Sequence, residues 1–104
     1  MAGRIEGNQI KVLNAVVATG ASQPVSPGTD RVTMQVTGIT VATVQLQGSI
    51  DGTNYVGVGT TNAGAAGNTG LTADGVLTLD AAYKYVRANV TAWTSGTITV
   101  WLYY

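Results

Sequence analysis

The sequence predicts an all-β chain folded as a single β-sandwich or jelly-roll-like domain of about 7–8 antiparallel strands. Three observations predict it. Apolar residues alternate with polar ones in four separate stretches, the period of a half-buried strand. No stretch carries a helical period, and 14 glycines argue against one. The alternating stretches are separated by segments rich in Gly, Pro, Asn, Asp and Ser, the residues that reverse a chain. At 104 residues the chain fits one domain that buries a core without a disulfide or metal staple.

Residues 1–9, "MAGRIEGNQ", are polar and unpatterned, so a flexible N-terminal arm is expected there, with the domain over 10–104. "QIKVLNAVVAT" (9–19) is apolar on both parities, which predicts a strand buried on both faces or broken by a bulge. "GASQPVSPGTD" (20–30) reads as a Pro-containing loop. "RVTMQVT" (31–37) puts Val32, Met34 and Val36 on one face. "TVATVQLQGSI" (40–50) does the same with Ala42, Val44, Leu46 and Ile50. A short strand follows at 54–59, then a long Gly/Ala/Asn loop at 60–75 and the strand "GVLTL" at 75–79. "KYVRANVTA" (84–92) sets Val86, Ala88, Val90 and Ala92 inward, and "TITVWLYY" (97–104) sets Ile98, Val100 and Leu102 inward. "TSG" at 94–96 reads as the tight turn of a C-terminal hairpin between these last two strands.

Composition removes several function classes. With neither His nor Cys, the chain lacks the commonest general base, the commonest metal ligand and any thiolate. A hydrolase would need a carboxylate pair such as Asp51 with Asp74, or Asp74 with Asp80. Each of these lies at an expected turn or strand end, where Asp usually serves the backbone. No enzyme, no cofactor and no metal site are expected. Five Lys and Arg balanced by five acids give no basic footprint for nucleic acid. No apolar run has the length of a membrane span, and the first residues have no signal-peptide core, so synthesis in a cytoplasm is expected. Only 10% of residues are charged while 45% are hydrophobic. A Thr-rich surface can stay soluble on those terms, but charge depletion is also the mark of a surface covered by partners.

The most motif-like stretch is "GSIDGTNYVGVG" (48–59). A calcium loop needs several closely spaced acids, and Asp51 stands alone. Asp-Gly between strand-like runs is instead a strong turn signal. Ser49, Asp51, Gly52 and Tyr55 therefore read as a fold marker, with Tyr55 lying across the hairpin. The pattern also resembles the hairpin of discoidin-type sandwiches and the Asp box of sialidases, in both of which the motif stabilises a turn. A different group has the residue types of an interface. If the C-terminal hairpin forms in register, Tyr85, Arg87, Trp101 and Tyr103 share the face opposite the aliphatic core. Trp, Tyr and Arg dominate interface hot spots.

From "VQLQGSIDGTNY" through "YKYVRANVTAWTSGTITVWL", roughly residues 40–102, the chain resembles small virion proteins of tailed bacteriophages. At this size the resemblance implies a capsid decoration (cement) protein, a β-sandwich or jelly-roll module on the outer shell. It implies further a homo-oligomer, most often a trimer, that clamps neighbouring major capsid protein subunits, made in a bacterial host cytoplasm. Two alternatives stand beside it: a tail or baseplate accessory domain, and a carbohydrate-binding module stacking sugars on Tyr85, Trp101 and Tyr103.

Overall fold

A computed structural model describes residues 9–27, 31–58, 60–62, 65–68, 70–79 and 82–104. The N-terminal arm expected over 1–9 lies outside the described residues except for Gln9, which already belongs to the first strand. Among the described residues nine strand segments form one antiparallel sheet. They are β1 (Gln9–Val16), β2 (Gly20–Ala21), β3 (Val32–Ser49), β4 (Val56–Gly57), β5 (Thr60–Asn62), β6 (Ala65–Asn68), β7 (Gly70–Leu71), β8 (Gly75–Leu79) and β9 (Tyr85–Tyr103). The order across the sheet is β1-β9-β3-β8-β5-β6, with β2 added to β9 and both β4 and β7 added to β3. Among the described residues there is no helix, and the all-β, sandwich-like expectation holds.

Two long strands organise everything. β3 has 18 residues and β9 has 19, and they pair with each other along their length, from Thr33 opposite Tyr103 to Ser49 opposite Tyr85. Straight strands of that length span about 60 Å. The molecule's longest extent is 41 Å, so both strands must bend. The bend lies where their register slips, between Thr37 and Val44. There the backbone takes positive φ at Gly38 (87°) and Gly96 (122°), conformations that a side chain disfavours. The bulges leave backbone donors and acceptors to side-chain partners. Asp74 Oδ1 accepts the N–H of Ile39 at 2.8 Å, and Trp93 Nε1 donates to the carbonyl of Gly96 at 3.0 Å.

Bending folds the sheet over itself into two layers. In the first, the row Ile10, Leu102, Met34 and Leu77 runs across β1, β9, β3 and β8. In the second, Val44 and Leu46 of β3 stand opposite Val90 and Ala88 of β9. Met34, Val44, Leu46, Leu77, Ala88, Val100 and Leu102 are wholly buried, and residues of both layers belong to one hydrophobic cluster. A single flat sheet cannot shut water from these side chains, so each layer covers the other.

The sequence expectations corrected here concern strand boundaries, two inward positions and two loops. "TSG" is not a hairpin turn, because β9 runs through it, and 84–92 and 97–104 are two halves of one strand that pair with β3 and not with each other. Likewise 31–37 and 40–50 are halves of β3, which ends at Ser49, leaving Ile50 exposed. Ala92, at the bend, is exposed as well. Finally, the expected loop 60–75 contains β5, β6 and β7, and residues 20–25 of the expected loop 20–30 lie against β9 as β2 and a bridge between Val25 and Val86.

The first strand is bulged, the second of the two options its sequence allows. Register shifts fall between Lys11 and Leu13 and between Leu13 and Val16, with Ala15 at a φ of 54°. Each shift turns a residue of the other parity inward, which is how Val12, Leu13 and Val16 all pack on the core. The displaced Ala15 N–H finds Thr99 Oγ1 at 3.2 Å.

Candidate interaction surfaces

The Ser-x-Asp-Gly-x-x-Tyr stretch is a turn, as its residues predict. β3 leads into β4 with Gly48 opposite Val56, and Asp51 organises the seven residues between them. Its Oδ1 accepts the N–H of Thr53 and of Asn54, each at 2.8 Å, while Oδ2 accepts Asn54 Nδ2 at 2.8 Å. Ser49 Oγ donates to the same carboxylate at 2.9 Å and accepts the Gly52 N–H at 3.0 Å. Gly52 has a φ of 78°, and the Tyr85 ring lies over it. The carboxylate is fully engaged as an acceptor of local donors and binds the turn, not a ligand.

Those donors, with the Asn54 backbone N–H first among them, hold the Asp51 carboxyl well below its ordinary value of 3.8. The sign of the consequence follows from the depressed value. The contribution to stability is complete above the unfolded-chain pKa and is lost as the pH falls from there through the folded-state value. The group is fully exposed, so the effect is modest. Thermal melts between pH 5 and pH 2 should show the wild type losing stability faster than Asp51→Asn. Parallel curves would remove Asp51 from the acid response.

Tyr55 returns from the turn onto the outer face of the second layer. Arg87 stacks on its ring, with the guanidinium carbon 3.9 Å from the centroid. Arg87 Nε donates to Gln47 Oε1 at 2.9 Å, and Gln47 Nε2 donates to Gln45 Oε1 at 2.8 Å. This chain of contacts buries Gln47. Tyr85 lies beside it over Gly52, with Lys84 Nζ 5.6 Å from its ring centroid. The second layer's outer face is thus capped from within by its own turn.

The first layer's outer face has no such cap among the described residues. Two cross-strand rows form it. One is Gln9, Tyr103, Thr33 and Thr78; the next is Lys11, Trp101, Gln35 and Val76. Tyr103 and Val76 are each 47% exposed, and Gln9, Lys11 and Gln35 are exposed. Trp101 is half-buried, with Lys11 Nζ 5.1 Å from its ring centroid, and it floors a shallow depression walled by Gln9 and Gln35.

The four aromatic and basic residues singled out from the sequence therefore do not form one cluster. Tyr85 and Arg87 stand opposite Ser49 and Gln47 in the second layer, whereas Trp101 and Tyr103 stand opposite Gln35 and Thr33 in the first. All four share the outward parity. The bend between the two halves of β9 separates them. Sequence reasoning missed Lys11, Gln35 and Val76 as neighbours of Trp101, because their meeting depends on the pairing of β1, β9, β3 and β8, which no local pattern encodes.

The carboxylate pairs considered for hydrolysis are not assembled either. Asp51 is committed to its turn and Asp74 to the Ile39 N–H at the bend, while Asp80 lies outside the described residues. Among the described residues no three acidic side chains gather to hold a metal ion.

No family model matches the chain, and no curated protein matches its sequence. A solved structure does share its fold. The crystal structure of the SPBc2 prophage-derived protein YomS superposes with a TM-score of 0.79 at 12% sequence identity, covering 99% of this chain and 97% of that one.

Proposed function

We propose that the chain is a non-enzymatic structural protein of a tailed-phage virion, and that within it the chain serves as a decoration (cement) protein. It sits on the outer surface of the head and stabilises contacts between major capsid protein subunits. The observation that carries this reading is the end-to-end match in fold to a prophage-derived protein. It joins a sequence that resembles small virion proteins over roughly residues 40–102. A role in the tail or baseplate draws on the same observations and differs only in location. A carbohydrate-binding module loses its main support, because Tyr85 is on the other layer from Trp101 and Tyr103.

A decoration protein needs no chemistry. It gains strength by repetition, since several modest contacts made together bind far more tightly than one. A homo-oligomer, a trimer by preference, supplies that repetition. Cryo-EM of virions from the phage that encodes the chain, compared with virions from a deletion strain, tests the proposal. Density lost from the outer head at capsomer junctions is the expected result. Loss from the tail would move the protein there, and no difference in either place would refute a virion role.

A further inference from the structure

The structure distinguishes the two outer faces of the sandwich, and the distinction identifies a docking surface. The second layer's face is occupied by its own turn through Tyr55, Arg87 and Gln47. The first layer's face is open among the described residues and presents Trp101, Tyr103, Val76, Gln35, Lys11 and Gln9 in two registered rows. We infer that this open face is where the protein docks, and that its occupant is a carboxylate-bearing surface of a repeated partner protein, the capsid subunit of the function proposed above, on which this inference rests.

Charge and size decide between that occupant and a second copy of this chain. Lys11 carries the one charge of the two rows, and the other seven positions are uncharged. A second copy meeting these rows with its own would bring another lysine and, among the eight positions, no acid to match it. A partner with an exposed carboxylate beside an apolar hollow matches both Lys11 and the Trp101 ring. In plan, four strands about 4.8 Å apart and about five residues long cover on the order of 300 Å². A free-standing specific contact needs about 800 Å² per partner. The face is therefore too small to hold a stable pair in solution and suits a contact that is repeated over a lattice. Strand addition at the neighbouring edge is disfavoured, because the two bulges of β1 twist that edge out of line.

The test uses particles from a deletion strain and the purified full chain, with bound fraction read by co-sedimentation. Trp101→Ala should weaken binding by about 30-fold, the loss of one hot spot. Lys11→Glu should weaken it by about tenfold, whereas Lys84→Glu, the same charge reversal on the other half of the molecule, should leave it within about twofold. Thermal melts of each variant separate lost contacts from lost folding, and Lys11→Glu keeps the question answerable if Trp101→Ala folds poorly. Wild type that binds while both face variants bind equally well would overturn the docking face and leave the virion role standing. Wild type that binds no part of the particle would overturn both. A wild-type oligomer that Trp101→Ala dissociates would assign the face to a second copy and refute the partner proposed here.

Discussion

Gly38→Ala should destabilise the domain by about 3–5 kcal/mol and lower its melting temperature by more than about 12 °C. Gly38 sits at a φ of 87° in the middle of β3, where a Cβ would meet the carbonyl oxygen of Thr97 on β9. Left-handed backbone alone costs an alanine about 1–2 kcal/mol. The rest comes from the collision, which no rotamer change relieves because the atoms struck are the backbone of Thr97. Gly96 faces the same restriction from the other strand, with a Cβ falling 2.5 Å from the Gly38 carbonyl oxygen and 2.8 Å from the Thr40 nitrogen. Gly20 is the internal control. It also has positive φ, at 149°, but nothing lies within 4 Å of a Cβ there, so Gly20→Ala should cost only about 1 kcal/mol. Denaturant unfolding of the two variants side by side is the measurement. Equal costs would mean that β3 and β9 do not approach each other closely at the bend.

That bend also marks the limit of what the sequence reveals. Inward parity is readable residue by residue, and Val32, Met34, Val36, Val44, Leu46, Val86, Ala88, Val90, Ile98, Val100 and Leu102 are all buried as their alternation implies. What alternation cannot reveal is whether two in-phase runs are neighbouring strands or one strand continued. From Val36 to Ala42, and again from Val90 to Ile98, the step between the inward positions is an even number, so both arrangements keep the same phase. The signal that distinguishes them is weak. "TSG" carries a glycine because the backbone needs positive φ, and a hairpin turn and a bulged corner ask for that conformation alike.

The same ambiguity shaped the candidate site. Placing Tyr85 and Arg87 beside Trp101 and Tyr103 follows directly from a hairpin, and it fails once the hairpin becomes a single bent strand. The Ser49-Asp51-Gly52 turn was legible because it is local: its donors and acceptors lie within the six residues 49–54. Arg87 on Tyr55 was not, since 32 positions separate 55 from 87 and only the pairing of β3 with both β4 and β9 joins them. The open face around Trp101 is the extreme case. Lys11, Gln35, Val76 and Trp101 come from four strands and are adjacent only through three separate registers.

Leu102→Ala should cost about 2–5 kcal/mol, and the comparison with Ile10→Ala tests whether the sheet is folded over at all. Both residues face inward in one row, with Ile10 on the edge strand and Leu102 on its neighbour, in register with each other and with Met34. Ile10 remains 40% exposed, while Leu102 is 0% exposed. Flanking strands protect a side chain only at its base. The full exclusion of Leu102 from water therefore requires the second layer to close over it. Its truncation removes buried methyl groups and leaves a void that the surrounding Val, Leu and Met side chains fill only in part. Ile10→Ala leaves a gap open to solvent and should cost less than about half as much. Urea unfolding of the two variants gives the ratio directly. If Leu102→Ala proves no more costly than Ile10→Ala, the inner face of the first layer is wet, and the two halves of β3 and β9 do not cover each other.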